Sequence, residues 1–302
     1  MIAWATNKAA DLSPETRGAL GMCAAMFVFI CMDALAKHIA QSLPAMQVVW
    51  ARYVSQTVLV GLIFLPSLAR RMRTANLGLQ LLRSGLLFTA TSLFFTGLAV
   101  LPLAEATALM ELSPLMITAL AALILREQVG ARRWAGVAIG LVGALIILRP
   151  GVGVFQPAAL LVVGAAICLA GFQVATRAMS ASDSIWTTML YSTLIGSVFA
   201  SLAMPFVWVS PSPDLIPLLC LIGCIGFVGH LCLVWALAQA PASVLAPFNY
   251  SQLVWSALIG YLVFAEVPDQ YTIFGALVIV CAGLYVWHRE RVRTAPSARP
   301  QR

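Results

Sequence analysis

Long apolar runs separated by short polar turns fill most of this chain. Ten of them approach the ~20 residues with which a helix crosses ~30 Å of hydrocarbon: Gly18–Ala40, Ala45–Phe64, Leu79–Val100, Leu103–Leu125, Trp134–Leu148, Ala158–Met179, Trp186–Trp208, Ile216–Ala238, Ala242–Phe264 and Thr272–Trp287. They are continuously apolar rather than alternating, so the pattern predicts spanning helices and not barrel strands. The polar punctuation repeats as well. Pro102 opens an apolar run that Glu127 closes, and after a polar turn a second run rich in small residues follows to Leu148. Pro241, Glu266 and the run to Trp287 do the same at a fixed offset of 139 positions (266 − 127), which lays Leu123 on Leu262, Gly136 on Gly275 and Leu145 on Leu284 without a gap. A constant offset with matched punctuation marks an internal duplication. Each copy holds five predicted helices, an odd number, so the second copy must enter the membrane from the opposite face. The predicted fold class is an all-α membrane protein of ten transmembrane helices, arranged as two inverted five-helix repeats. The first repeat spans 1–149, the second 150–288, and a basic tail 289–302.

Composition sharpens this reading. A chain of 302 residues that is 61% hydrophobic and 10% charged cannot fold as an apolar core under a wetted surface. Its net charge of +7 would point to nucleic acid in a soluble protein, but here the charges are sorted by face. With the N-terminus in the cytoplasm, the inside segments collect Lys8, Arg17, Arg70, Arg71, Arg73, Arg126, Arg132, Arg133, Arg177 and the arginines of the tail, leaving Lys37 and Arg149 at outer edges. This bias predicts a multi-pass membrane protein with both termini cytoplasmic, and no nucleic-acid partner. The seven cysteines all fall inside predicted spans and are expected to be buried packing residues without disulfides or metal. The first apolar run is of spanning length and follows acidic as well as basic residues, so no cleaved signal is expected.

Charged and amide groups inside the apolar runs are the candidates for chemistry, because an ionisable group at membrane depth is costly unless it faces the protein interior. In the first run Asp33 and Lys37 share one helical face, either as a pair four residues apart or with Asp33 free for a substrate or ion. The second run carries Trp50, Arg52 and Tyr53; Arg52 either snorkels to the interface or turns inward to an acid or a bound carboxylate. In the fourth, Glu105 lies near the outer end, Met110 and Glu111 lie deeper, and Pro114 frees a backbone carbonyl near mid-membrane. The second half offers His230, and then Pro247, Asn249, Tyr250, Ser251, Gln252 and Trp255 in the ninth run. The candidate substrate-binding residues are Trp50, Arg52, Tyr53, Met110, Glu111, Asn249, Tyr250 and Trp255. The candidate ion-pair or coupling residues are Asp33, Arg52, Glu105, Glu111 and His230, with Glu111 expected to pair with Arg52 and Asp33 as the alternative. Each closing glutamate, Glu127 and Glu266, is read as a structural acceptor at a helix end. Gly223, Gly226 and Gly229, three apart, are read as a close-packing face.

The twin pattern of the type AxxALxxLxPLxxxLxAxLxLxExxxxxxWxGxxLIxxGxLII, carried by Ala106 to Ile147 and more loosely by Leu245 to Val286, resembles the EamA module of the drug/metabolite transporter superfamily. The segment MDALAKHIAQSLPAMQVVWARY, Met32 to Tyr53, also resembles members that move amino acids or S-adenosylmethionine, and the length suits the YddG-type, aromatic amino acid exporters. The resemblance implies a ten-helix carrier with a central cavity between its halves that exports amino acids or similar small metabolites. It implies no cofactor and no required oligomer. Pro114 is matched by Leu253, and the second copy carries Pro247 instead, so the two cavity walls are expected to differ. Inverted repeats commonly support alternating access around a midplane site. The rival class is a membrane-embedded enzyme, which would need a nucleophile and base or a metal set; neither HExxH nor GxSxG is present, and there is no P-loop for primary pumping.

Overall fold

The computed structural model describes residues 13–67, 72, 74, 76–124, 130–150, 156–179 and 185–294. Within them the regular structure is helical. The first half comprises α1 (Pro14–Ala40), α2 (Ala45–Phe64), α3 (Leu77–Leu98), α4 (Leu103–Met110), α5 (Ser113–Ile124) and α6 (Ala131–Leu148). The second comprises α7 (Pro157–Met179), α8 (Ile185–Val207), α9 (Leu215–Gln239), the short α10 (Ala242–Leu245), α11 (Ser251–Phe264) and α12 (Gln270–Thr294). Taking α4 and α5 as one broken helix, the described residues contain nine helices long and apolar enough to cross a membrane.

Local chemistry accounts for the ends. Ser13 caps α1 by accepting the Thr16 N–H at 3.2 Å, with Pro14 at the first helical position, where its missing N–H costs nothing. Asn76 accepts the Leu79 N–H at 3.0 Å to start α3. Arg149 and Ala265 close α6 and α11 with left-handed backbone, at φ 45° and 54°. Such an ending normally favours glycine.

The ninth predicted span differs from expectation. Residues 242–264 form α10, a 3-10 turn over Ala246–Tyr250, and only then α11. Pro247 cannot continue an α-helical ladder, and the turn absorbs it. The fourth span breaks at Glu111 and Leu112, immediately before Pro114. α12 runs on to Thr294, so the first residues of the predicted tail continue the last helix, and 295–302 lie outside the described residues. Glu127, Lys8, Arg70, Arg71, Arg73 and Arg126 also fall outside them.

The largest helix interfaces join the two halves: α1 packs on α9, α3 on α7, α6 on α12 and α2 on α8. Glycines permit the closest of these. A Cβ on Gly143 would lie 2.9 Å from the Gly275 carbonyl, and one on Gly275 would lie 2.7 Å from the Gly143 carbonyl, so α6 and α12 approach backbone to backbone. The glycine face of α9 packs closely, as read from the sequence: Gly223 meets the α2 backbone at Arg52 and Gln56, and Gly229 meets the Phe29 ring. Outward surfaces are apolar, with Leu62, Leu123, Phe206 and Leu262 exposed, while Gln47, Gln80, Arg83 and Ser256 are buried. This inversion suits a lipid surround. The cysteines depart from expectation, since none is fully buried, and Cys220 and Cys281 are exposed on the apolar perimeter. A thiol carries too little polarity to be driven from a hydrocarbon-facing surface.

Candidate functional site

The breaks in the fourth and ninth spans face one another. Where α4 ends, Glu111 accepts a hydrogen bond from the Gln252 amide of α11, which joins the two halves. Around this bridge lies a cavity of about 720 Å³, lined by residues of both halves. Asp33, Arg52, Met110, Glu111, His230, Asn249 and Tyr250, all expected from the sequence, are on its wall. Pro114 and Pro247 are there too, one at each break.

Arg52 turns inward. Its Nη1 donates to the Thr91 hydroxyl at 3.2 Å, its guanidinium lies over the rings of Tyr53 and Phe95, and its Nε is buried without a partner. The expected ion pair with Glu111 is not formed, because Glu111 is taken by Gln252 across the bridge. Nor does Asp33 come within ion-pairing distance of Arg52, although the two interact electrostatically. Asp33 is 9% exposed and makes no hydrogen bond to another described residue. His230 donates from Nδ1 to the Gly226 carbonyl at 2.8 Å, since a carbonyl only accepts; a neutral imidazole then keeps Nε2 as its acceptor.

Three aromatic candidates lie off the cavity wall. Trp50 donates from Nε1 to Ser201 at 3.0 Å and packs edge-on against Trp208. Tyr53 is buried beneath Arg52 and shares the Thr91 hydroxyl at 3.1 Å. Trp255 packs against Phe27. Large amphipathic rings serve packing and interfaces as well as ligands, and their sequence pattern does not separate these uses.

Beyond one end of the cavity, two ion pairs join the halves. Lys37, for which a pair with Asp33 was one of two readings, binds Glu266 from the other half and donates to the Leu101 carbonyl at 2.6 Å. The other Glu266 oxygen accepts the Leu103 N–H at 2.8 Å, capping α4. Glu266 is thus a helix-end acceptor, as its place in the repeat suggested. Arg149 pairs with Asp269, and Glu105 belongs to this group of charges rather than to Asp33, Arg52 and Glu111. Gln47 fastens α2 to the end of α8 through both Val209 backbone groups, at 2.8 and 3.1 Å. Towards the opposite end the wall extends to Arg133, Arg177 and Trp287. Arg133 and Arg149 are sixteen residues apart on α6, about 24 Å by helical rise.

The sequence reading passed over several residues. Gln252 was noticed only as one polar group among others in its run, and Thr91 carried no charge to single it out. Arg83, a charge within an apolar run, was an available signal: it donates to Thr176 at 2.6 Å, Ser192 at 2.9 Å and the Thr188 carbonyl at 3.1 Å, and lies over Phe172.

Two stretches, residues 16–149 and 156–287, match the EamA-like transporter family. The chain belongs to that family. It is 28% identical to an S-adenosylmethionine uptake transporter of Rickettsia felis, over 86% of this chain and 88% of the relative. It is 33% identical to a riboflavin transporter of Vibrio cholerae, over 92% of this chain and 95% of the relative, and 29% identical to a pseudopaline exporter of Pseudomonas aeruginosa, over 88% and 94%. A solved crystal structure 18% identical in sequence covers 91% of this chain and 99% of its own at a TM-score of 0.60, which shows the fold alone. None of these relatives is named as an aromatic amino acid exporter, so the family stands and that narrower assignment is carried by the sequence resemblance alone.

Proposed function

We propose that this EamA-family protein is a secondary carrier of amino acids or similar small metabolites across the bacterial inner membrane, working by alternating access between two inverted five-helix repeats, 1–149 and 150–288. The observation that carries this reading is the cavity at the two helix breaks, mostly apolar with a few polar groups and shared between halves, with two ion pairs joining the halves beyond one end. Its volume of about 720 Å³ falls within the ~300–1,000 Å³ of small-molecule pockets. The helix pairing supports the inverted repeat. Under the 139-residue offset α1 exchanges with α7 and α3 with α9, so the α1–α9 and α3–α7 interfaces exchange with one another, while α2–α8 and α6–α12 each return to themselves.

With both termini cytoplasmic, the ion-paired end faces outward and the cavity is reached from inside. Substrate would enter among Met110, Asn249 and Tyr250 and be oriented by Asp33 and Arg52. Release to the other side would require the Lys37–Glu266 and Arg149–Asp269 pairs to separate. The relatives' names point both ways, uptake in one and export in another, so export is tested rather than carried over. The full chain in proteoliposomes, loaded with amino acids, S-adenosylmethionine or riboflavin, should show saturable and structure-selective flux in one or both directions. Flux that rises linearly with concentration for every compound would remove the carrier reading, and chemical turnover of a compound would favour the enzyme.

A further inference from the structure

Two carboxylates line the cavity among the described residues, and their surroundings differ. Glu111 is 3% exposed and committed to Gln252. Asp33 is equally a wall residue, is 9% exposed, and has no hydrogen-bond donor among the described residues. The cations nearby make their direct contacts elsewhere. Lys37, one turn along α1, is held by Glu266 and Leu101. Arg52 is held by Thr91 between two rings, with its Nε unpartnered among the described residues, and stays beyond ion-pairing distance of Asp33; His230 spends its Nδ1 proton on Gly226. Arg83 lies off the cavity wall and is satisfied by Thr176, Ser192 and Thr188.

A carboxylate withdrawn from water into a low-dielectric site, with no donor of its own, is retained at a cost unless something else supplies the donor. We infer that Asp33 is the specificity-determining residue for a sulfonium-type cationic centre in the transported molecule. The wall around it suits that chemistry. Phe29 lines the wall one turn from Asp33, and Met22, Met26 and Met32 line it with soft, adaptable side chains, so a cation with a bulky apolar or aromatic remainder is accommodated. This rests on the carrier reading above and divides the molecules named for the relatives. S-adenosylmethionine carries such a centre and riboflavin does not.

The test is a binding measurement, independent of flux. Purified full-length protein in detergent is titrated with S-adenosylmethionine and with S-adenosylhomocysteine, which keeps the amino-acid and adenosine groups but lacks the methyl and the sulfonium charge. Riboflavin serves as an uncharged aromatic control. The sulfonium compound should bind at least about tenfold more tightly than the counterpart that lacks the sulfonium, a ratio that corresponds to about 1.4 kcal/mol. Asp33→Asn should bring the ratio close to one, and Asp33→Glu should restore part of it. If Asp33→Asn fails to fold, the wild-type ratio and its behaviour in Asp33→Glu still decide. Equal affinities in the wild type, retention of the ratio in Asp33→Asn, or tight binding of riboflavin accompanied by proton uptake would each overturn the inference. Retained discrimination without flux in proteoliposomes would instead sink the carrier reading and leave Asp33 in its assigned role.

Discussion

At Asp269, outside the spanning segments, two effects oppose each other. Burial pushes the carboxyl up, while bonds from the Thr272 backbone and side chain and from the Arg149 guanidinium favour the charged form and outweigh it, holding the group below the usual carboxylate range. A folded-state value below the unfolded one contributes stability above the unfolded value of ~3.9 and loses it as pH falls through the folded value. Asp269→Asn should therefore lower the thermal midpoint at neutral pH, with the two proteins converging as both are acidified below about 4. The group is nearly half exposed, so the effect is expected to be no more than about 1 kcal/mol. A difference that persists unchanged at low pH would show that the charge plays no part. The same locality explains which residues could be read in advance. Asp33, Arg52, Glu111 and His230 stood out because a polar group in an apolar run must face inward, and all four line the cavity. Their partners could not be read, since spacing along α1 allowed Lys37 with Asp33, while the fold brings Glu266 from the other half to Lys37.

Helix α4 begins at Leu103 behind Pro102, which supplies no side-chain cap. The first N–H groups of a helix need acceptors, and Glu266 provides one from a distant connection while holding Lys37 with its other oxygen. This divides the roles of the carboxylate. Glu266→Gln keeps an acceptor for Leu103 and loses the charge on Lys37, whereas Glu266→Ala loses both. The alanine variant should be the less stable by about 1 kcal/mol, the usual worth of a cap, read as the difference in midpoint on denaturation in one detergent. Equal losses would mean that the Leu103 contact contributes nothing. The element boundaries were readable where a proline lay beside an apolar run, as at Pro44, whereas α1 starts at Pro14, before the apolar run that begins at Gly18. They were less so where a helix is broken inside the membrane. Pro114 signalled its break, but the 3-10 turn over Ala246–Tyr250 depends on how the segment meets α1 and α12. One such contact is the Tyr250 ring against Gly283, where an added Cβ would fall 1.9 Å from the hydroxyl.

For the whole molecule, the proposed five-plus-five arrangement rests on the duplication and the parity of the predicted helices, and it assigns equivalent connections to opposite faces. The connection before α6, beside Arg132, and that before α12, beside Pro268, are equivalent under the offset. One should be cytoplasmic and the other external. The ion-paired end sharpens this, because the Arg149–Asp269 pair places the start of α12 beside the end of α6, roughly 24 Å along that helix from Arg133. Introduced cysteines at Arg132 and Pro268 should therefore react with a membrane-impermeant maleimide from opposite sides: Arg132→Cys only in inverted vesicles, and Pro268→Cys only in intact cells. The native cysteines must first be replaced, since Cys220 and Cys281 are exposed on the perimeter. If their replacement disturbs folding, protease sites inserted at the same two connections read the same sidedness. Labelling of both positions from one face would end the inverted repeat, and with it the account in which the ion-paired end and the cavity mouth exchange roles during transport.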